Sequence, residues 1–312
     1  QNYEESHQAW RHSEWVLIMK ILSAIIGFFM FLIPSVTLSA GPPVCTFDGN
    51  ARITNVDGGG SNDFCRLSAT EFKINLKYAG ICTSAPTEVN YRSVCNAIFD
   101  NTSGQDVEVT TNSSLPLDDA ISLTEGTYTH AWILVGNTVH YKASAEFTPD
   151  RIGKSGTGAY CWTLDGNTSP GPGAVSDSSP KADWLAECGA SVPSTIGTSY
   201  STVVALFDFD QGIYKNSTSG TNASGTYEVT LLDVSGVASD VDAYGTYTRV
   251  ATQMGGIQTF TNPVSISPNT LNIDIGFRLE NTFGVLMGDV SNNVNHIPRF
   301  GLGGFEFKVL AQ

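Results

Sequence analysis

The chain has 312 residues, of which 16 are basic and 30 acidic, for a formal net charge of −14. An acidic chain with no Lys/Arg cluster repels phosphate backbones and anionic lipid surfaces, so nucleic acid is not an expected partner. Gly, Ser, Thr and Asn are abundant and long helix-forming runs are missing, which argues against a helical fold and directs the reading to strands and turns.

Residues 19–40 begin with Met19 and Lys20, run apolar from Ile21 to Leu32, break at Pro34 and end on the small residues Ser39 and Ala40. Charge, apolar stretch and small-residue site together form the layout of a cleaved secretory signal. The apolar run is shorter than the roughly 18–20 residues of a membrane span, which makes an uncleaved anchor the lesser alternative. Residues 1–18 contain no Met and read as an upstream extension ahead of a start at Met19. Cleavage after Ala40 gives a mature N-terminus at Gly41 and leaves no membrane span. It removes Arg11 and Lys20 together with Glu4, Glu5 and Glu14, so the mature chain carries −13.

All six cysteines, Cys45, Cys65, Cys82, Cys95, Cys161 and Cys188, lie beyond that segment. An even number in an exported chain implies disulfides, although six cysteines allow fifteen pairings. The sequential set, Cys45–Cys65, Cys82–Cys95 and Cys161–Cys188, is the expected one. Zinc is disfavoured because no two cysteines have the close Cys-x-x-Cys spacing of a structural site.

Strand patterns follow. Phe72, Ile74, Leu76 and Tyr78 alternate with Lys73, Asn75 and Lys77, as in a strand with one buried face. Residues 129–143 read as a hairpin with Gly136-Asn137 at the turn, since Gly first in a two-residue loop suits a type II′ turn. That register sets Trp132 opposite Tyr141 and sends His130 and His140 to opposite faces. Residues 165–180 are rich in Gly, Pro and Ser and read as a surface loop or linker. A short helix is expected near 180–188, with Ser179 as cap, Pro180 in the first turn, and Trp184, Leu185 and Cys188 on one side. Residues 200–209 and the segment starting at Tyr227 are further strands, with 215–225 as a long hairpin loop between them. Leu271, Ile273, Ile275, Phe277 and Leu279 alternate cleanly, and Phe305, Phe307 and Val309 close the chain in the same way.

The expected class is all-β, an antiparallel β-sandwich of Ig-like kind. Its regions are the extension (1–18), the signal (19–40), a β-sandwich region (41–164), the loop (165–180), and a final region (181–312). The last is either a second β-rich domain or the second half of one sandwich. Gly126-Thr-Tyr-Thr-His and Gly245-Thr-Tyr-Thr-Arg share four residues, which is the sequence basis for a duplication split near residue 170.

The segments EFKINLKYAGIC (71–82), GTYTHAWILVGN (126–137), GAYCW (158–162) and NPVSISPNTLNIDIGF (262–277) resemble a set of uncharacterised exported proteins of marine bacteria. The resemblance implies an Ig-like protein of the bacterial envelope or extracellular space and carries no catalytic residue with it.

Motifs for chemistry are missing from the sequence. There is no Gly-x-Ser-x-Gly and no His-Glu-x-x-His. Gly153-Lys154-Ser155 imitates the end of a phosphate loop, but Thr148 stands where its first Gly belongs. Among the histidines, His130, His140 and His296 read as structural. Asp208 with Asp210, and Asp240 with Asp242, each precede a Gly and are weak calcium candidates, because neither run has the distal Glu of a full loop. No catalytic residue and no cofactor is assigned.

The expected function is a non-enzymatic structural or adhesion protein, secreted, at the cell surface or in the bacterial periplasm. It would act as a filament subunit or bind surface proteins and glycans. Phe305, Phe307 and Val309 are the assembly candidates, since a terminal strand can add to a neighbour's sheet edge. The alternative is a secreted carbohydrate-binding protein or carbohydrate hydrolase, for which Trp132, Trp162 and Trp184 are the aromatics to examine.

Overall fold

The computed structural model describes residues 45–55, 64–109, 124–168, 179–204, 206–208, 213–222, 225–241, 247–268, 273–278, 283–286, 296–302 and 306–311. Residues 1–18 and 19–40, read above as an extension and a signal, lie outside them. In chain order the strands begin with β1 (Thr46–Phe47), β2 (Ile53–Asn55), β3 (Phe64–Leu67), β4 (Glu71–Cys82) and β5 (Cys95–Val109). There follow β6 (Gly126–Lys142), β7 (Ser144–Ile152), β8 (Thr157–Thr163), β9 (Gly166–Asn167), β10 (Ala186–Gly189) and β11 (Ser199–Thr202). Next come β12 (Leu206–Asp208), β13 (Ile213–Lys215), β14 (Ser217–Asn222), β15 (Gly225–Leu232), β16 (Asp240–Val241), β17 (Tyr247–Arg249) and β18 (Gln253–Ile266). The last are β19 (Ile273–Arg278), β20 (Phe283–Leu286), β21 (Arg299–Leu302) and β22 (Glu306–Ala311). One α-helical turn, α1 (Tyr91–Val94), precedes β5.

The fold is all-β and sandwich-like. Its main sheet runs β5-β4-β6-β18-β15-β14, antiparallel throughout, with β11 and β9 continuing beside β6 where β18 leaves it. A second sheet runs β1-β2-β7-β8-β10, and a third runs β21-β20-β3. The chain passes from the first sheet to the second at the fully buried Ala143, whose N–H donates to Thr163 Oγ1. Corners of this kind let one continuous chain supply both layers of a sandwich. One hydrophobic cluster joins the layers, with Ile74 and Tyr141 from the first sheet, Phe147 and Cys161 from the second, and Val285 and Phe300 from the third. Strands from either side of residues 165–180 pair within the main sheet, since β6 takes β18 and β11 as neighbours.

β6 is the organising strand. It pairs with β4 along one side; along the other it pairs with β18 up to Gly136 and with β11 from Thr138. The expected hairpin at 129–143 is therefore replaced by one strand running through Gly136-Asn137. Ile74 faces Val139 while Leu76 faces Val135, so β6 bulges around Gly136-Asn137 opposite Asn75. Asn137 is 8% exposed, and its side-chain amide donates to the carbonyls of Val203 (3.0 Å) and Ala251 (2.8 Å). Those carbonyls lie just past the end of β11 and just before the start of β18, so Asn137 ties together the strands that meet there.

A second bulge changes β4. Leu76 faces Val135 and Tyr78 faces Leu134, which leaves Lys77 unpaired on the β6 side. Because strand faces alternate, one extra residue moves everything after it to the other face. Phe72, Ile74 and Leu76 enter the main core as the alternation predicts, but Tyr78 points to the opposite face. Ala79 and Ile81 replace it in the main core.

The helix expected near 180–188 is confined to the single 3-10 turn Lys181–Asp183. Cys188 lies directly opposite Cys161 in the β8–β10 ladder, and this pairing holds 186–189 as strand. The two Gly-Thr-Tyr-Thr runs are not equivalent in structure. The first opens the long central strand β6, whereas Tyr247 belongs to β17, whose partner is the two-residue β16.

Candidate functional site

If the protein works by assembly, its sheet edges carry the function, and the two edges of the main sheet differ. At one edge, β5 presents Asp100, Asp106 and Glu108 as exposed or half-exposed acids. Its ladder with β4 is broken twice, since Leu76 faces Gln105 while Tyr78 faces Asp100, with a further shift after Ala79. Gly104 sits in the first break at φ +79°, with its Cα close against the Asn75 side chain, where no Cβ would fit. Lys73 pairs with Asp106 at 2.9 Å, and Asn75 donates to the same carboxylate. These bonds hold the Asp106 carboxyl below the usual range, the Asn75 hydrogen bond contributing most and Lys73 next.

At the other edge, β14 reads Ser217-Thr-Ser-Gly-Thr-Asn222 and has neither charge nor proline. It pairs with β15 over six residues in an unbroken register from Ser217↔Thr230 to Asn222↔Gly225. Among the described residues, no strand pairs with its outer side. Tyr227 of β15 lies over Gly220, its directly opposed partner.

The terminal strand that carries the assembly candidates is already paired in its own chain. β22 runs antiparallel to β19, with Phe307 opposite Phe277 and Val309 opposite Ile275. Phe305 lies outside the described residues.

The bulged end of β4 builds an aromatic enclosure that the sequence did not reveal. Tyr78, Trp132, Leu134 and Leu232 form a second cluster on the outer face of the main sheet, beside the Cys82–Cys95 disulfide. α1 closes over it. Tyr91 stacks on Trp132 (centroids 5.3 Å apart, planes at 18°) and meets Tyr78 edge-on at 4.7 Å. The Arg92 guanidinium lies over Tyr78 and Tyr91 at 5.3 and 5.2 Å and pairs with Asp100. Burial, with the nearby Asp100 charge second, pushes the Tyr78 hydroxyl up to about 12, so it stays protonated across the physiological range. A Cβ at Gly255 would come 2.8 Å from the Trp132 ring, so the glycine makes room for the indole. The only sequence signal for this enclosure is indirect: Cys82 and Cys95 bracket Tyr91 and Arg92.

The remaining candidates do not converge. Asp208 ends β12 and Asp240 is exposed in β16, while Asp210 and Asp242 lie outside the described residues. Among the described residues there is no group of three or more His, Cys, Asp or Glu side chains placed to hold a metal. His130 and His140 share one strand ten residues apart, roughly 33 Å at strand rise, and do not face each other across a hairpin. Trp132 and Trp184 are buried and Trp162 is half-buried, with Trp184 stacked on His296 at 5.1 Å.

Gly153-Lys154-Ser155 is the β7–β8 turn, and its backbone faces a carboxylate of the same chain. Glu187 accepts hydrogen bonds from the N–H groups of Ser155, Gly156 (2.7 Å) and Cys188 (3.0 Å) and from the Ser155 hydroxyl. Burial raises the Glu187 carboxyl, but these four donors outweigh it and the net shift is downward.

No family model, no curated protein and no solved structure matches the chain. All six cysteines are paired in sequence order, which fits an oxidising extracellular or periplasmic compartment. No helix among the described residues is long and apolar enough to cross a membrane.

Proposed function

We propose that this is a non-enzymatic structural or adhesion protein, exported to the cell surface or the extracellular space, whose partners are other copies of itself, surface proteins or glycans. The observation that carries this reading is where the disulfides sit. Cys82 and Cys95 are directly opposed across β4 and β5, as are Cys161 and Cys188 across β8 and β10. Each bridge is a covalent rung between paired strands: Cys82–Cys95 locks the end of the β4–β5 ladder, where a sheet otherwise frays first, and Cys161–Cys188 lies within the β8–β10 ladder. Cys45–Cys65 fastens the residue just before β1 to β3. Covalent rungs support a role in which the fold must survive proteases and load outside the cell.

The test combines fractionation with activity. The expected result is a protein found outside the cytoplasm that resists protease until it is reduced and leaves glycans uncut. Glycan cleavage by the purified protein would overturn the structural reading in favour of the carbohydrate hydrolase. Deleting residues 304–312 tests the terminal strand separately. Loss of the folded monomer is expected, because β19 loses its partner. A folded monomer that no longer assembles would make β22 the joint between subunits.

A further inference from the structure

We infer that β14 is a dimerisation edge, and that its occupant is β14 of a second copy, laid antiparallel about a two-fold axis so that the two main sheets become one. The inference goes beyond the proposed function, because it holds whatever the protein does at its destination.

Hydrogen-bond phase shows which groups are available. The N–H of Leu231 donates to the carbonyl of Asn216, and the β14–β15 register then continues without a break. In an antiparallel ladder the bonded pairs alternate, so residues 218, 220 and 222 point their backbone groups at β15, and Ser217, Ser219 and Thr221 point theirs outward. Of that row Ser219 and Thr221 are exposed, and Ser217, at the end where β12 approaches, is half-buried. Natural edge strands are guarded by charge, proline, bulges or covering segments. β5 has acids and bulges, while β14 itself has no charge, proline or bulge.

Three observations select a second copy as the occupant. First, the pattern is self-complementary. An antiparallel pairing centred on Ser219 sets Ser219 against its counterpart and Ser217 against Thr221, so each narrow pair exchanges two backbone bonds and brings hydroxyl beside hydroxyl. Second, the chain is strongly acidic, and β14 is an uncharged place for two such chains to meet. The nearest acid on β15, Glu228, opposes Ser219. Its counterpart in the dimer would lie three strand spacings away, roughly 14 Å, beyond the screening length at physiological salt. Third, the terminal strand β22 is occupied by β19, so it does not supply the added strand. A two-fold contact of this kind closes on itself, so β14 alone gives dimers, and a filament would need a second surface.

The edge is short, so the dimer is weak and concentration-dependent. The experiment is sedimentation of the oxidised mature protein from about 1 μM to about 1 mM, the range in which a weak dissociation constant falls. It is repeated on Ser219→Pro, Ser219→Lys and the control Glu108→Lys on β5. Proline at 219 removes an outward N–H and leaves the bonds to β15 in place. The expected result is reversible dimerisation of the parent, a dissociation constant at least about tenfold weaker in both Ser219 variants with an unchanged monomer, and no weakening in Glu108→Lys. A parent that stays monomeric at about 1 mM overturns the inference, as does a dimer indifferent to both Ser219 variants. Neither outcome bears on cellular location or glycan cleavage, which test the proposed function.

Discussion

The two edges of the main sheet are built from the same backbone but by opposite means. β5 is longer, twice bulged and acidic, and it is fixed at one end by Cys82–Cys95 and by the Arg92–Asp100 pair. β14 is short, straight and uncharged, and its described ladder contacts are those to β15. The difference lies in local disruption and not in polarity. Ser and Thr make β14 polar, but what deters a further strand from adding is charge, proline, a bulge or a covering segment.

The largest effect that would sharpen this contrast is loss of the β5 rung. Replacing Cys82 and Cys95 together by Ser opens a loop with a sequence separation of 13, worth about 3 kcal/mol by chain entropy. Chemical denaturation should report that loss. The midpoint should fall while β14 peptides keep their native exchange, because edge amides exchange through local opening and not through global unfolding.

Asn137→Ala should come next, at about 2 kcal/mol. It leaves two carbonyls without their amide donor where β18 and β11 meet β6, and buried unpaired groups are costly. β18 carries β15 and β14, so hydrogen exchange should accelerate on the β14 side more than on β5. Equal acceleration on both sides would break the contrast.

Arg92→Ala should cost about 1 kcal/mol. The ion pair is largely exposed and contributes little, while the cation–π contacts over Tyr78 and Tyr91 contribute somewhat more. Raised exposure of Trp132, read from its fluorescence, is the expected sign.

The smallest effect is a pH effect away from both edges. Glu187 is held below its ordinary value of 4.5 in the folded protein, so the folded state binds its proton more weakly than the unfolded chain does. Its contribution is therefore full above about pH 4.5 and is lost as the pH falls through the lower folded value. Acid titration of Glu187→Gln should show a shallower loss of stability below that pH than the parent. An identical slope would mean that the Ser155–Gly156 donors do not act on this carboxylate.

Much of this architecture was legible in the sequence. The alternation at 71–76 gives the buried face of β4, the terminal alternation gives β22, and the spacing of the cysteines suits bridges between sequence neighbours. The failures have physical causes. Gly136-Asn137 has the chemistry of a turn, but here the same chemistry serves a bulge, where glycine permits close approach to Asn75 and the asparagine amide binds the carbonyls of Val203 and Ala251, 66 and 114 residues further along the chain. No local pattern distinguishes the two uses. The bulge at Lys77 is likewise a single-residue event without a compositional mark, yet it moves Tyr78 to the other face and creates the aromatic enclosure. The apolar side of 181–188 suits a helix, and only its long-range pairing with β8 makes 186–189 a strand. Edge strands are invisible to sequence reading for the same reason, since being an edge depends on what does not pair.

Hydrogen exchange as a function of protein concentration tests the contrast most directly. The peptide spanning 213–222 carries the outward amides of Ser217, Ser219 and Thr221, and the peptide spanning 96–109 carries those of β5. The account predicts that 213–222 becomes slower to exchange as concentration rises from about 1 μM to about 1 mM, while 96–109 does not change. Exchange of 213–222 that is independent of concentration, or protection that grows equally at β5, would contradict it.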